Sequence, residues 1–319
     1  MPNLSPNILI VCASKIALPA ITAMHQQKVN MQVACYTLNI EFEQELQYVT
    51  RHLNIPLTIF SKQEWKEQLE TLLQQFKPDV VFVKTFGLKI PMHLCNIPKW
   101  GFINFHYALL PQYRGAFPLF QVLKNQDAYG GVTVHHISNE LDKGALIMQQ
   151  YVPIKFGETY GKHEMNLANE GAKLTMALLS MLDDIDAVLP AIPQNEEQAQ
   201  TISKPKTNDL IIDWHKMSAK QIVSMIQATN PWGKGALAYW MNIPVQLLFA
   251  RYDATSQANA TPGEIIELSE EKGMRVACIN NESIWIDVIY LQEGYLPGFK
   301  LKDMGLRLGA IAMVPKIDS

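Results

Sequence analysis

Short apolar runs and stretches of helical periodicity alternate along the first quarter of the chain. Residues 7–12 (N-I-L-I-V-C) form an apolar run, and residues 16–27 then carry apolar side chains three and four apart, the spacing of one helix face. The same patterns predict strands over 32–38, 57–60 and 79–84 and helices over 41–53 and 64–76. A βαβαβα series of this kind predicts an α/β fold, a Rossmann-like, doubly wound and mostly parallel sheet with helices on both faces. Residues 101–106 (G-F-I-N-F-H) predict another strand. Its period-two alternation puts Phe102, Asn104 and His106 on one face and Ile103 and Phe105 on the other. Strands are predicted over 131–137 and 145–152 and a helix over 162–182, after which 183–200 is polar and punctuated by proline. That stretch is read as a linker, about 183–204, between a domain of residues 1–200 and a second of residues 205–319. In the second, a short helix at 218–229 precedes alternating runs at 235–240, 245–251, 263–268, 274–279 and 283–291. Five short strands broken by turns predict a small OB-like β-barrel, with Trp214, Trp232, Trp240 and Trp285 available to fill its core.

Composition narrows the function more than the fold. With 48% apolar and 18% charged residues in 319, the chain has the profile of a soluble globular protein. No apolar run reaches the roughly 18 residues a bilayer span needs, and the opening Met-Pro-Asn-Leu-Ser has no basic region ahead of an apolar core. Cys12, Cys35, Cys95 and Cys278 are scattered without C-x-x-C spacing, which points to reduced, buried thiols and a cytoplasmic location. A net charge of −3 leaves no global positive field to gather nucleic acid or an anionic membrane.

Several chemistries lack their motifs. The turn after the first strand, Ala13-Ser14-Lys15, contains no glycine, so neither the dinucleotide fingerprint nor the P-loop is present. His135 and His136 are adjacent on a predicted strand and face opposite ways, and no other metal-ligand spacing occurs, so no metal is expected. Ser14, Ser138 and Ser203 lie outside any G-x-S-x-G context. What remains is Asn104, His106 and Asp142, at or near predicted strand ends. Singly each has a plain structural explanation: an amide satisfying loop backbone, a hydrogen-bonded histidine, an Asp in a turn. Together they supply a hydrogen-bond donor and two proton carriers.

Asn104-Phe105-His106, followed by Leu109-Leu110-Pro111-Gln112-Tyr113-Arg114-Gly115-Ala116-Phe117-Pro118, resembles the N-x-H…L-L-P-x-Y-R-G-A-x-P signature of the 10-formyltetrahydrofolate-dependent formyltransferases. Leu141-Asp142-Lys143-Gly144 is similar to that family's L-D-x-G motif. Gly87-Leu88-Lys89-Ile90-Pro91 resembles its folate loop, and Ile211, Asp213 and Trp214 with Asn230-Pro231-Trp232 resemble the C-terminal domain of its two-domain, tRNA-formylating members. The resemblance implies 10-formyltetrahydrofolate as formyl donor and no metal. It implies Asn104 as an oxyanion donor, His106 as sharing that task and relaying a proton, and Asp142 as orienting His106 and accepting the proton of an attacking amine. It also implies that Phe86, Gly87, Leu88, Lys89 and Ile90, with Ile137, Ser138, Asn139, Glu140 and Leu141, hold the cofactor's pterin.

Departures from the signature fall on the acceptor side, where the resemblance places Ala108, Gln112, Arg114, Gly115 and Phe117. Ala108 stands where the family has Ser, Gln112 replaces a usual Arg, and Phe117 replaces a small residue beside the acceptor channel. Thr37-Leu38-Asn39-Ile40-Glu41-Phe42-Glu43 stands in place of a basic insertion that meets tRNA, and residues 205–319 hold 11 Lys and Arg against 12 Asp and Glu. The favoured expectation is therefore an N-formyltransferase acting on a small or carrier-bound amine: an amino sugar, a diamino acid or an aminoacyl intermediate. The alternatives are formylation of initiator Met-tRNA, with tRNA as partner, and a catalytically inactive folate- or nucleic-acid-binding module. No membrane partner is expected, and the chain is expected to be a monomer.

Overall fold

The computed structural model describes residues 6–184, 186–241, 243–254, 258–292 and 294–313. The outermost residues of both expected domains, 1–5 and 314–319, and position 185 of the expected linker lie outside these. In chain order the first elements are β1 (Ile8–Cys12), α1 (Leu18–Gln26), β2 (Met31–Cys35), α2 (Ile40–His52), β3 (Leu57–Ile59), α3 (Trp65–Phe76), β4 (Val80–Lys84), α4 (Met92–Cys95) and β5 (Phe102–His106). They continue with β6 (Arg114–Gly115), α5 (Pro118–Lys124), β7 (Tyr129–His136), β8 (Leu146–Pro153), α6 (Tyr160–Met181) and β9 (Thr201–Ile202). Two compact units result. One comprises the described residues up to Gly115 with Gly130–Val152 and Glu164–Ile202; the other comprises Ala116–Tyr129, Pro153–His163 and the chain from Ser203 onward.

The first unit is built on one sheet of order β3-β2-β1-β4-β5-β7-β8. From β3 to β5 all pairs are parallel, and β7 then joins β5 antiparallel. The Rossmann-like reading holds, with the reversal at β7 accounting for the part of the sheet that is not parallel. β1 and β4 are buried at every position, as central strands covered on both faces must be. The flanking helices are ordinary amphipathic ones. In α2, Phe42, Leu46 and Thr50 make the buried face, Asn39 Oδ1 caps Phe42 N–H at 3.0 Å, and acidic and basic residues sit at the ends the macrodipole favours.

The second unit contains α7 (Ala219–Ala228) and β10 (Ala236–Trp240), β11 (Ile243–Asp253), β12 (Ile265–Ser269), β13 (Gly273–Ala277), β14 (Ser283–Leu291), β15 (Gly294–Pro297) and β16 (Ala312–Met313). The antiparallel order is β12-β13-β14-β11-β10-β16. Residues 309–312 also bond back to residues 263 and 265, beside β12, through Ala312 N–H to Gly263 O and Ile265 N–H to Ala310 O, both 2.9 Å. That closes the path from β12 to β16 on itself, so both of its end strands are paired. Trp214 and Trp240 are fully buried with ring centroids 5.7 Å apart. Phe120 and Leu123 of α5 share this core with Ile222, Val223 and Ile226 of α7, which is why residues 116–129 belong to this unit although they precede β7.

One buried charge carrier stands out in the first sheet. Cys35, Cys12, Lys84 and Phe105 lie in register on adjacent strands, so their side chains share one face. Lys84 is fully buried, its Nζ 2.9 Å from Thr175 Oγ1 and 3.3 Å from the centre of the Phe105 ring. Burial pushes its pKa well below the ordinary lysine value, and Cys12 opposes this only in part. The unfolded chain therefore binds a proton that the folded chain gives up, and stability rises as pH rises toward the free lysine value of about 10.4. Lys84→Met is expected to raise the thermal midpoint at pH 7, with the gain over wild type shrinking toward pH 10. A lower midpoint at pH 7 would show that the ammonium is instead well accommodated.

Candidate active site

Asn104 and His106 end β5 on the same face, as the alternation requires. Across the antiparallel pair with β7, Asn104 stands opposite His135 and His106 opposite Thr133. Thr133 secures the turn that follows β5: its Oγ1 donates to Ala108 O at 2.6 Å and accepts from Leu110 N–H at 3.1 Å.

The two rings of the site are held by backbone carbonyls, which only accept, and this settles their protons. His135 Nδ1 lies 2.9 Å from His136 O, so Nδ1 carries the hydrogen and Nε2 accepts from Asn104 Nδ2 at 3.0 Å. Burial, reinforced by the neighbouring His106, pushes the His135 pKa down to about 4, so this arrangement holds through the neutral range. His106 Nε2 donates to Tyr113 O at 2.6 Å. Its Nδ1 faces Asp142 Oδ1 at 3.7 Å, beyond direct hydrogen-bond reach. Tyr113 thus holds one edge of the ring, and Asp142, expected to orient it, faces the other.

Asp142 is buried and backbone-constrained, with φ 56° in the left-handed region. Its Oδ2 accepts from Gly115 N–H at 2.8 Å, leaving Oδ1 between His106 Nδ1 and His135 Nε2, the latter at 3.8 Å. Two residues on, a Cβ at Gly144 would sit 1.6 Å from His136 O. The spacing L-D-x-G follows from this path: Asp tolerates the left-handed turn, and only glycine passes so close to β7.

Of these groups, Asn104, His135 and Asp142 meet at a pocket. Val83, Phe86, Leu88, Lys89 and Ile90 line it from β4 and the loop after it; Ile137, Ser138, Glu140 and Leu141 line it from the loop after β7; Asn104, His135 and Asp142 supply its polar end. Eight of the ten residues expected around a cofactor therefore border one slot. Gly87 and Asn139 belong to the same two loops without lining it. The backbone just after β4 is strained: Thr85, β-branched, has φ 59° and receives a 2.8 Å contact from Ser14 Oγ, its own hydroxyl being directed to Lys84 O at 2.6 Å.

The residues expected on the acceptor side are dispersed. Gly115 touches the Asp142 carboxylate. Arg114 is buried, its guanidinium bonded to Gln194 and Glu196. Ala108 is buried, with its carbonyl taken by Thr133, and Gln112 is exposed. Phe117, expected to reshape an acceptor channel, packs instead on Trp232 in the second unit, ring centroids 5.1 Å apart. His135 shows in the sequence only as half of a histidine pair, Tyr113 lies in the Y-R-G stretch but acts through its backbone carbonyl, and Gln194 acts through a carboxamide outside any motif.

An amide N–H, an imidazole and a carboxylate at the end of an apolar slot can stabilise an oxyanion and move a proton. Residues 8–179 match the family described as "Formyl transferase", and residues 204–295 match "Formyl transferase, C-terminal domain". A methionyl-tRNA formyltransferase of Ralstonia pickettii is 32% identical over 216 residues, 68% of this chain and 64% of that protein's length. A methionyl-tRNA formyltransferase of Staphylococcus aureus is 31% identical over 75% of this chain and 74% of its own. Among solved structures, an N-formyltransferase from Helicobacter canadensis, in complex with folinic acid and dTDP-3-aminofucose, superposes with a TM-score of 0.67 at 17% identity, covering 88% of this chain and 98% of that one. With more than half its length in the first match, the chain belongs to the formyl transferase family.

Proposed function

We propose that the chain is an N-formyltransferase that moves a formyl group from 10-formyltetrahydrofolate to a small or carrier-bound amine. The observation that carries this reading is the slot itself, with apolar walls from Phe86, Leu88, Ile90, Ile137 and Leu141 suited to a flat heterocycle and Asn104, His135 and Asp142 at its polar end. The bound donor supplies an amide-like formyl carbonyl. Asn104 Nδ2 has two hydrogens; His135 accepts one and so fixes the direction of the other, which stabilises negative charge on the carbonyl oxygen, worth about 3 kcal/mol by analogy with other oxyanion donors. His106, with Nε2–H tied to Tyr113, moves protons through Nδ1. Asp142, with Oδ2 held by Gly115, takes the amine's proton on Oδ1. The 3.7 Å between Oδ1 and Nδ1 suits groups that tighten on substrate binding.

Charge supports the acceptor class. Residues 205–319 are net −1, and the stretch 37–43 carries acidic rather than basic residues, poor provision for a phosphate backbone. The Helicobacter canadensis protein binds a nucleotide-linked amino sugar, one acceptor of the proposed kind. The second reading, formylation of initiator Met-tRNA, is favoured by the identity to tRNA-formylating relatives and by the C-terminal domain match.

Four results are expected. Tetrahydrofolate release in the presence of amino-sugar nucleotides should exceed that with charged initiator tRNA; rapid tRNA formylation with a steep inverse salt dependence would establish the second reading instead. Asn104→Ala should lower kcat by about 10²–10³-fold. His106→Ala and Asp142→Asn should each abolish turnover, while binding of a non-reactive folate in calorimetry stays near wild type. Turnover retained in both would remove these residues from the chemistry. Finally, with His135 at about 4 in the fold and 6.5 ordinarily, the unfolded chain binds more protons between those values, so stability falls as pH drops through that window. The denaturation midpoint of His135→Gln should therefore change less from pH 6.5 to 4 than that of wild type; equal changes would place the acid sensitivity elsewhere.

A further inference from the structure

We propose that Gln194 is a positioning residue for Asp142, and that residues 194–202 form a strap through which the catalytic carboxylate and imidazole are both held. The strap lies in the stretch whose polarity and prolines suggested a linker. Gln194 Nε2 donates to Asp142 O and to Gly144 O, both at 2.8 Å. Its Oε1 accepts from Arg114 Nε at 3.1 Å and Nη2 at 2.7 Å. The amide orientation is unambiguous, because a flipped amide would set NH₂ against the guanidinium and oxygen against two carbonyls. One side chain therefore clamps both ends of the tripeptide whose first residue carries the carboxylate, and a buried arginine fixes that side chain.

The backbone of the strap acts on the same groups. β9 pairs in parallel with β6, Arg114 N–H donates to Gln200 O at 2.9 Å, and Gln200 N–H donates to Pro111 O at 3.1 Å. The segment it braces, 111–115, holds His106 through Tyr113 O and Asp142 through Gly115 N–H. Gly115 has φ 96°, and a Cβ there would meet Ile202 O at 2.4 Å, so the braced segment and the strap touch backbone to backbone. The Arg114–Glu196 pair contributes less than the carboxamide, since Glu196 is 62% exposed and water screens it. The decisive link is Gln194.

The kinetic arm of the test rests on formyl transfer as proposed above; the exchange arm does not. In the full-length chain, Gln194→Ala should speed hydrogen exchange selectively at the Gly115 amide and across residues 139–145. It should also lower kcat by about 10²-fold, the cost of misplacing a catalytic group by about 1 Å, with KM for the formyl donor within about threefold. Gln194→Glu, which keeps an acceptor for Arg114 but loses both donors, should match the alanine variant. Lys173→Ala, which removes only an exposed ion pair with Glu170 on α6, should leave both readouts at wild-type values. The proposal is overturned by unchanged exchange at Gly115, by wild-type kcat in Gln194→Glu, or by exchange that rises uniformly over the sheet. A wild-type chain that releases no tetrahydrofolate with any amine would defeat the formyl-transfer reading alone, and local exchange would still decide the strap.

Discussion

Opposite Asn104, on the one strand that runs against its neighbour in an otherwise parallel core, stands His135, and most of the site depends on that pairing. A directly opposed antiparallel pair shares a face at close range, so the imidazole and the carboxamide meet without any loop to bring them together. The carbonyl of His136 completes the arrangement by fixing the His135 proton, and through it the direction of the Asn104 amide. The same carbonyl admits only glycine at 144. Strand register, tautomer and the L-D-x-G motif are in this sense one constraint seen three times.

The sheet and the closed second unit were legible in the sequence because period and burial agree there. β1 and β4 read as apolar runs and are buried throughout; the runs at 235–240 and 283–291 alternate and contribute to a closed core. The reversal of β7 was not legible, since nothing local distinguishes a parallel from an antiparallel neighbour. Nor was the membership of 116–129 in the second unit, which rests on Phe120 and Leu123 meeting a helix about a hundred residues later. Of the site, Asn104, His106 and Asp142 were readable from the motifs they sit in. His135 was visible as a residue but not as a partner. Parity along a strand says that His135 and His136 face opposite ways, and only register says which of them faces Asn104.

Polar groups whose partners the motif does not name are the harder lesson. Tyr113 acts through a carbonyl, and Arg114 bonds a carboxamide eighty residues away. An arginine beside a catalytic segment invites a substrate role, yet its buried guanidinium is bonded to Gln194 and Glu196. Withdrawing those acceptors would leave a buried charge with unmet hydrogen bonds, a cost larger than a surface contact could return.

The placement of Phe117 bears on the acceptor in a similar way. Its left-handed backbone turns its half-buried ring onto Trp232, against the second unit's core. A side chain committed to packing cannot also be tuned freely to an acceptor, because core volumes tolerate little change. The bulk at this position therefore has a packing partner, and on its own it does not argue for a smaller acceptor. What still does is charge. Residues 205–319 are net −1 and the stretch 37–43 is acidic, and the attraction of a phosphate backbone scales with the basic groups that meet it. The case against a tRNA acceptor thus moves from the shape of a channel to the electrostatics of the chain.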